Sequence, residues 1–325
     1  MTVATATLLR PFAGLLSPRG SRSRLSILIY HRVLPQPDPL LAGDPDAEAF
    51  RWQMQALSGL CNVLPLTEAV ERLARGTLPT RAACITFDDG YADNAEVALP
   101  ILRELGLPAT FFVATAYLDG GMMFNDRVCE TLRRLPAGPV SLESVDLQER
   151  EIQTDQDRRR ITGEIVRAVK HLDPAEREER VRTLAELAPT PLPDNLMMSS
   201  EQVRELAAAG MTIGGHTRSH PILAQTTDER AREEIAGGRE TLEGLLRQPV
   251  KLFAYPNGKP GQDYDARHVA MVRECGFEAA VSTAWGVSTR DTDRYQLARF
   301  TPWDPTPARF SARLVRNLGN VFRGL

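Results

Sequence analysis

The sequence predicts an α/β fold, a barrel of seven or eight parallel strands, on three observations. An amphipathic helix, a glycine stop and a short apolar strand recur along the 325 residues. Strands that alternate with helices pair in parallel through right-handed crossovers, and seven or eight such units over this length favour a barrel over an open sheet. No glycine-rich dinucleotide fingerprint or phosphate loop follows a predicted strand, which weakens the Rossmann alternative.

Three segments carry this repeating plan most clearly. Helices are predicted over residues 94–105, 199–209 and 266–275, each ended by a glycine and followed by a strand over 109–114, 211–213 and 277–282. Ser199 and Gln202 fit a capping box at the start of the second helix. Further strands are predicted over 26–30, 82–87, 252–255 and 297–300.

Residues 120–198 interrupt the plan, because they are rich in charge and helix formers. Asp173 at an N-cap, Pro174 at the first helical position and Glu176 two residues later form a good helix start. We interpret the stretch as a helical insertion on one loop of a barrel that spans residues 25–325. Its charge runs are expected to be solvated faces.

Composition indicates a sizeable core and excludes several functional classes. Hydrophobic residues make up 42% of the chain, and 39 basic against 42 acidic residues leave a net charge of −3. That balance argues against nucleic-acid binding, which usually needs a basic face. No apolar run is long enough to span a bilayer. The four cysteines form no CxxC pair, so we expect free, buried thiols and a cytoplasmic location.

Residues 1–24 are predicted to be a frayed tail. The apolar stretch over residues 5–16 is interrupted by Arg10 and Pro11, and arginines follow it at positions 19, 22 and 24. A secretory signal has its basic residues first, so the order is the reverse of what export requires. A short membrane-surface anchor is the alternative, which leaves peripheral membrane association or export open.

Two adjacent carboxylates, Asp88 and Asp89, end the predicted strand over 82–87 and are closed by Gly90. Neighbouring side chains on a strand point to opposite faces, so both can approach one site only where the chain leaves the sheet. The alternative is an Asx turn with two solvated aspartates.

A histidine pair, His216 and His220, follows another predicted strand and the glycines Gly214 and Gly215. Imidazoles four residues apart meet on one side of a helical turn, as a divalent metal requires. The motif is not that of the metalloprotease helix, because Thr217 stands where that motif needs glutamate. The alternative is two surface histidines.

Together the two strings predict a metal site. One aspartate and two histidines leave a coordination position open for water, as in catalytic zinc sites, and the second aspartate is free to act as a base. The aspartate pair and the histidine pair both lie at carboxyl ends of predicted strands. So do His31, which follows the first strand, and the segment 255–258. That is the face on which parallel barrels place their chemistry.

The strings TFDDG, HTxxH and FAYPNG resemble the polysaccharide deacetylase family, also called the NodB-homology domain or carbohydrate esterase family 4. The resemblance covers residues 25–302 apart from the insertion. It implies a distorted (β/α) barrel, often of seven strands, with Asp88 as the catalytic base and Asp89, His216 and His220 as metal ligands. It also implies that the backbone N–H of Tyr91 belongs to the oxyanion site.

Two positions depart from the family pattern. Ala254 stands where many members carry an arginine that orients the catalytic aspartate, and Arg299 replaces the histidine of a Leu-x-His motif that supplies the general acid. Both departures resemble the branch that includes poly-N-acetylglucosamine deacetylases. There the acid is a histidine after the first strand, which makes His31 the candidate acid. The alternative is that His31 only packs or hydrogen-bonds at the barrel rim.

The resemblance therefore implies a metal-dependent N-deacetylase of N-acetylhexosamine units in a poly- or oligosaccharide, with a role in exopolysaccharide metabolism. One divalent ion is expected, zinc first and cobalt or nickel as alternatives. Tyr255, Pro256 and Trp303 are candidate sugar contacts. An N-acetylated glycan is the expected partner. The alternatives are a deformylase or amidohydrolase acting on a lipid-linked sugar or small amide, and a non-catalytic carbohydrate-binding protein.

Overall fold

A curved sheet of parallel strands forms the centre of the protein. The structure, a computed structural model, describes residues 2–302 and 304–322. Its strands are β1 (Leu25–Tyr30), β2 (Asn62–Val63), β3 (Ala82–Phe87), β4 (Thr110–Val113), β5 (Gly138–Val140), β6 (Arg150–Ile152), β7 (Thr212–Gly215), β8 (Leu252–Ala254), β9 (Ala279–Trp285) and β10 (Leu297–Arg299). The helices are α1 (Thr2–Leu16), α2 (Ala47–Leu60), α3 (Leu66–Arg75), α4 (Leu99–Glu104), α5 (Phe124–Arg134), α6 (Asp155–Val169), α7 (Pro174–Ala185), α8 (Ser200–Ala208), α9 (Asp228–Leu246), α10 (Ala266–Glu274) and α11 (Pro307–Leu318).

The sheet closes on itself in the order β1-β3-β4-β7-β8-β9-β10, with β2 paired beside β3. At the closure, the Ile29 N–H donates to the Phe300 carbonyl at 3.1 Å, and the Phe300 N–H donates to the Ile27 carbonyl at 3.0 Å. The predicted distorted barrel of parallel strands is therefore confirmed. Its seven-strand path places the carboxyl ends of β1, β3, β7 and β8 at one end of the barrel.

Alternate residues of each strand face two different cores, as the period of a strand requires. In β3, Ala82 and Cys84 belong to the cluster inside the barrel, whereas Ile85 and Phe87 belong to the cluster beneath the helices. The inner cluster also contains the buried face of α3. Helix α3 therefore covers the end at which the strands begin, and the opposite end is left for a site.

The helix predicted over residues 94–105 starts with a wider turn. Residues Asn94–Ala98 form a π-helical turn that continues into α4. Pro100 has no N–H to donate to the Glu96 carbonyl, so the α-helical bond expected there cannot form. The capping box of Ser199 and Gln202 is confirmed at α8.

The insertion has a small core of its own. Helices α5, α6 and α7 pack together through buried aliphatic side chains, and β5 and β6 add an antiparallel pair. Asp173 caps α7 as predicted, accepting hydrogen bonds from the N–H groups of Ala175 and Glu176. The antiparallel pair was not expected, because residues 138–152 show no clear strand alternation.

The N-terminal segment differs from the expected frayed tail. Helix α1 packs against α2 and α11, and Ala13 is fully buried between them. Leu9, Ala13 and Leu16 share one helical face, which supplies the packing that a tail would lack. Within the described part of the chain, no helix combines the length and apolar content needed to cross a membrane.

The four cysteines are free, as expected, with Cys61, Cys84 and Cys129 buried and Cys275 half-buried. Burial raises the pKa of the Cys61 thiol to about 12, so that thiol stays protonated at neutral pH.

Gly214→Ala is expected to lower the free energy of unfolding by about 2 kcal/mol. A Cβ at Gly214 would lie 2.4 Å from a ring atom of Phe112, which is buried inside the barrel. Gly244→Ala in α9 is the matched control, because a Cβ there meets nothing within 4 Å. It should raise stability by about 0.5 kcal/mol. Urea denaturation measures both, and equal effects would contradict this packing account.

Candidate metal centre and active site

A cavity of about 370 Å³ opens at the carboxyl ends of the barrel strands. The barrel contributes His31, Asp88, Asp89, His216 and His220 to its lining. The insertion covers part of it with Phe124, Asn125, Asp126, Lys170 and Arg177. The structure therefore brings together residues that the sequence predicted from four separate strand ends.

Asp89, His216 and His220 present one ligand atom each, and these atoms lie within 4.8 Å of one another. Asp89 Oδ1 is 3.3 Å from His216 Nε2 and 3.4 Å from His220 Nε2. His216 Nδ1 donates to the Ala254 carbonyl at 2.7 Å, which turns the Nε2 lone pair toward Asp89. A carbonyl that fixes the tautomer in this way is typical of a metal-binding histidine. The donor set fits a divalent ion of the zinc class.

Two of the three groups, Asp89 and His220, have the charge states that suit a cation. Burial raises the pKa of Asp89, but the nearby imidazoles outweigh it and hold that pKa well below its usual range. Burial lowers the pKa of His220 to about 4 despite the opposing effect of Asp89. At neutral pH, Asp89 is therefore ionised and His220 is neutral, which are the states that ligation requires.

The backbone at the triad is held in an unusual conformation. Asp89, Thr217 and His220 all have left-handed backbone angles, with φ of 76°, 65° and 54°. Such angles cost about 1–3 kcal/mol each for residues other than glycine and persist only where the surroundings enforce them. Here they accompany an arrangement in which the Asp89 carboxylate and the His220 imidazole face each other at 3.4 Å.

Glu234, a fully buried residue of α9, holds the histidine loop. Its carboxylate accepts hydrogen bonds from the N–H groups of Arg218 at 3.0 Å and Ser219 at 2.7 Å, and from the Ser219 hydroxyl at 2.7 Å. Thr217 Oγ1 accepts from the His220 N–H at 3.1 Å. Glu234 was not predicted from the sequence, because a glutamate on a charged helix resembles the solvated glutamates around it.

Asp88 lies beside the triad and is paired with Arg299. Both guanidinium nitrogens Nη1 and Nη2 donate to the Asp88 carboxylate at 2.7 Å, and Arg299 Nε donates to the Ser282 carbonyl at 2.9 Å. Both side chains are almost completely buried. Burial raises the pKa of Asp88, but Arg299 outweighs it, so the pKa is lowered and the carboxylate stays ionised.

Arg299 thus supplies, from β10, the contact to Asp88 that an arginine at position 254 would otherwise make. From the sequence, Arg299 was predicted only as a substitution for an expected histidine, and its contact with Asp88 was not predicted. The available signal was a lone arginine in a short apolar strand, because a charge buried there must have a partner.

His31 is exposed at the rim of the cavity, with its backbone carbonyl accepting from Asn94 Nδ2 at 2.9 Å. Asp44 lines the same cavity and was not predicted. Burial raises the pKa of Asp44 to about 6, while His31 and Arg32 act in the opposite direction. Asp44 and His31 also line a second, smaller cavity, so the two residues are neighbours at the rim.

Tyr91 connects the barrel to the insertion. Its hydroxyl donates to the carboxylate of Asp126 at 3.1 Å, and the Arg32 guanidinium lies 4.7 Å from its ring centre. Among the described residues, no acceptor pairs with the Tyr91 backbone N–H, which leaves that group available as a donor. Asp126, on α5, was not singled out from the sequence. Burial raises its pKa to about 7.

The predicted sugar contacts, unlike the candidate metal ligands, are not all brought into the cavity. Tyr255 is fully buried and stacks on Tyr264 with ring centres 3.8 Å apart, so its ring is not a surface for a sugar. Pro256 is also buried and does not line the cavity, where Asn257 and Thr283 stand instead. The structure therefore does not place the Tyr255 ring in the cavity wall, because the chain stays buried for two residues beyond the end of β8. Trp303 lies outside the described residues.

Two cations from the insertion stand in the cavity wall. Lys170 and Arg177 both line it, and within the described part of the chain neither forms an ion pair. The Arg177 guanidinium lies 4.4 Å from the Phe124 ring centre, and burial lowers its pKa. These positive groups are available to an anionic ligand.

Comparison with known proteins identifies relatives of this chain. Residues 75–280 match the family described as polysaccharide deacetylase. The protein YxkH of Bacillus subtilis (strain 168), whose name assigns it provisionally to the polysaccharide deacetylases, is 22% identical over 279 residues, 85% of this chain and 71% of YxkH.

Solved structures with the same fold include two further proteins. The deacetylase PplD of Streptococcus pyogenes, solved with acetate, is 18% identical with a TM-score of 0.59, covering 91% of this chain and 98% of PplD. IcaB from Ammonifex degensii is 20% identical with a TM-score of 0.59, covering 92% of this chain and 98% of IcaB.

Arg299→Met is expected to destabilise the protein by about 3–5 kcal/mol, because it leaves the buried Asp88 carboxylate without its partner. Asp88→Asn combined with Arg299→Met should recover much of that loss, since no uncompensated charge remains. Urea denaturation of the two single variants and the double variant measures the coupling. Additive effects would show that the pair contributes no mutual stabilisation.

Asp126→Asn is expected to stabilise the protein increasingly above about pH 4 and fully above about pH 7. The pKa of Asp126 is raised on folding, so the folded state loses stability as pH rises from about 4 to about 7. The variant should match the wild type near pH 4 and exceed it by about 4 kcal/mol at pH 8, because each unit of this rise in pKa, about three units in all, corresponds to about 1.4 kcal/mol.

Melting curves across this pH range test the Asp126 prediction, with the exposed Asp194→Asn as control. A pH-independent difference between Asp126→Asn and the wild type would contradict it.

Proposed function

Because the chain belongs to the polysaccharide deacetylase family, whose members are hydrolases of amide bonds, we propose that it is a metal-dependent N-deacetylase. Its substrate would be a poly- or oligosaccharide with N-acetylhexosamine units, and its pathway exopolysaccharide metabolism. The observation that carries the proposal is the meeting of Asp89, His216 and His220 beside the ionised Asp88. The products would be acetate and a free amino sugar.

Asp89, His216 and His220 would hold one divalent ion, with zinc first and cobalt or nickel as alternatives. Such an ion supplies Lewis acidity, which polarises a carbonyl and brings the pKa of a water ligand to about 7. The chain's own contribution is to keep Asp89 ionised and His220 neutral at that pH.

Asp88 is the proposed base, which accepts the proton that water loses as its oxygen adds to the acetamide carbonyl carbon. Its Oδ2 lies 4.0 Å from His216 Nε2, so the carboxylate borders the ligand set without belonging to it. Arg299 fixes the orientation of the carboxylate and keeps it ionised. The same pairing lowers the pKa of Asp88 and so makes it a weak base. The pKa of the attacking water must therefore also be lowered before Asp88 can accept its proton.

The backbone N–H of Tyr91 is the proposed donor to the developing oxyanion, where one such donor contributes about 3 kcal/mol. His31 is the proposed acid that protonates the nitrogen as the carbon–nitrogen bond breaks. Its exposed position at the cavity rim suits contact with a glycan. Asp44 lines the cavity together with His31.

One observation favours a second candidate, a deformylase or amidohydrolase on a lipid-linked sugar. Lipid-linked sugars carry phosphate, and Lys170 and Arg177 offer two unpaired cations in the cavity wall. A neutral glycan would leave both without a counter-charge. The family assignment and the retained ligand set argue against a non-catalytic carbohydrate-binding protein.

A metal-loaded acyl-release screen tests the proposal and separates the candidates. The protein is incubated with poly-N-acetylglucosamine, with chito-oligomers and with a polyprenyl-phosphate-linked formamido sugar. Acetate release from either glycan supports the leading proposal, and formate release confined to the lipid-linked sugar supports the second. Absence of both products with one ion bound would overturn both.

Asp88→Asn should lower turnover by at least about 10³-fold, while metal content stays at one ion per chain. His216→Ala should lose both turnover and metal, because it removes one of three ligands. Metal content, by atomic absorption, and acetate release are measured on the same preparations. The two measurements separate a loss of turnover from a loss of metal. Metal retained by His216→Ala would remove that residue from the ligand set.

His31→Ala should lower kcat by about 10²-fold or more with metal content unchanged, because the leaving amine loses its proton donor. A substrate with a less basic leaving group, such as an acetate ester, should be affected much less. Wild-type turnover of the amide by His31→Ala would reject the role of general acid.

A further inference from the structure

Positive charge is segregated in two stretches of the chain that are far apart in sequence. Residues 1–24 and 305–325 contain eight arginines and no acidic residue, although the whole chain has a net charge of −3. The segment between them is therefore strongly acidic. Such segregation is not needed for folding, since elsewhere most helices pair their arginines with acids three or four residues away.

The fold brings these two stretches together. Helix α1 packs against α11, and the Arg24 guanidinium donates to the Leu318 carbonyl at the end of α11. Ser17 accepts from the Arg24 N–H at 3.0 Å, which turns the chain from α1 into the first barrel strand. Arg22 and Arg24 also line one surface cavity with Val321 and Phe322, so the two stretches meet at the surface.

Two large apolar side chains are exposed in the same region. Phe12 is 63% and Leu15 is 80% exposed, and among the described residues only Leu187 and Trp285 are other exposed large hydrophobics. Phe12 and Leu15 are three residues apart, so they share one side of α1. The buried face of that helix is formed by Leu9, Ala13 and Leu16. Nothing in the packing of α1 accounts for the exposed pair.

The arginines around this pair are largely unneutralised. Arg19, Arg22, Arg309 and Arg316 are exposed, and within the described residues none of them forms an ion pair. Arg313 is the exception, because it pairs with Asp304. Arg309 and Arg316 are seven residues apart and lie on one face of α11.

We propose that this face, formed by Phe12, Leu15, Arg19, Arg22, Arg309 and Arg316, docks the protein on an anionic lipid surface. Aromatic and leucine side chains enter the boundary between headgroups and acyl chains, and guanidinium groups pair with lipid phosphates. A membrane with anionic lipids can contact both the exposed apolar pair and the arginines of this face. A nucleic acid would leave the apolar pair without a partner, and a second copy would place arginines opposite arginines.

Co-sedimentation of the full chain with lipid vesicles tests the proposal. The protein should sediment with vesicles of phosphatidylcholine and phosphatidylglycerol, much less with phosphatidylcholine alone, and should be released by high salt. Phe12→Ser with Leu15→Ser should weaken binding by about tenfold or more. Arg19→Gln with Arg22→Gln should weaken it similarly and flatten the salt dependence.

Matched controls separate this face from general surface properties. Leu187→Ser removes an exposed apolar side chain elsewhere, and Arg103→Gln with Arg159→Gln removes two exposed charges outside the face. Both controls should bind anionic vesicles like the wild type. None of the variants touches the proposed catalytic residues, so metal content and acyl release should be unchanged. Failure of deacetylation would therefore not affect this result.

Three outcomes would overturn the proposal. The first is absence of sedimentation with anionic vesicles, and the second is binding that the controls weaken as much as the face variants do. The third is a dimer of the wild type in sedimentation velocity that Phe12→Ser with Leu15→Ser dissociates, since a second copy would then occupy the face.

Discussion

The buried ion pair of Asp88 and Arg299 is the interaction on which the site depends. Arg299 ends β10 and reaches across the barrel to the carboxylate that follows β3, touching Thr86 and the Ser282 carbonyl on the way. Two charges withdrawn from water are tolerated only when each satisfies the other. The pair therefore fixes the position of Asp88 and its ionised state beside the three ligands.

The site is shared between the barrel and its insertion. The barrel supplies the three proposed metal ligands and the ionised carboxylate, whereas the insertion supplies Asp126 beneath Tyr91 and the cations Lys170 and Arg177 in the wall. The rigid strand ends thus carry the chemistry, and a separately packed cluster of helices shapes what can approach it. Substrate choice in this protein is expected to follow the insertion more than the barrel.

Local pattern was enough to predict the strand over 82–87, the capping box at α8 and the gathering of Asp89 and the histidine pair. Those features depend on residues close in sequence or on the shared end of parallel strands. Arg299 and Glu234 were missed because their partners lie far away in sequence or on another element. Helix α1 was not predicted, because Arg10 and Pro11 interrupt the apolar pattern of its short buried face.

X-ray absorption spectroscopy of the protein loaded with zinc measures the central proposition most directly. The account predicts one ion per chain, with two imidazole nitrogens and the remaining ligands oxygen, at about 2.0–2.1 Å. An ion without imidazole ligands, or a protein that binds none at neutral pH, would contradict it.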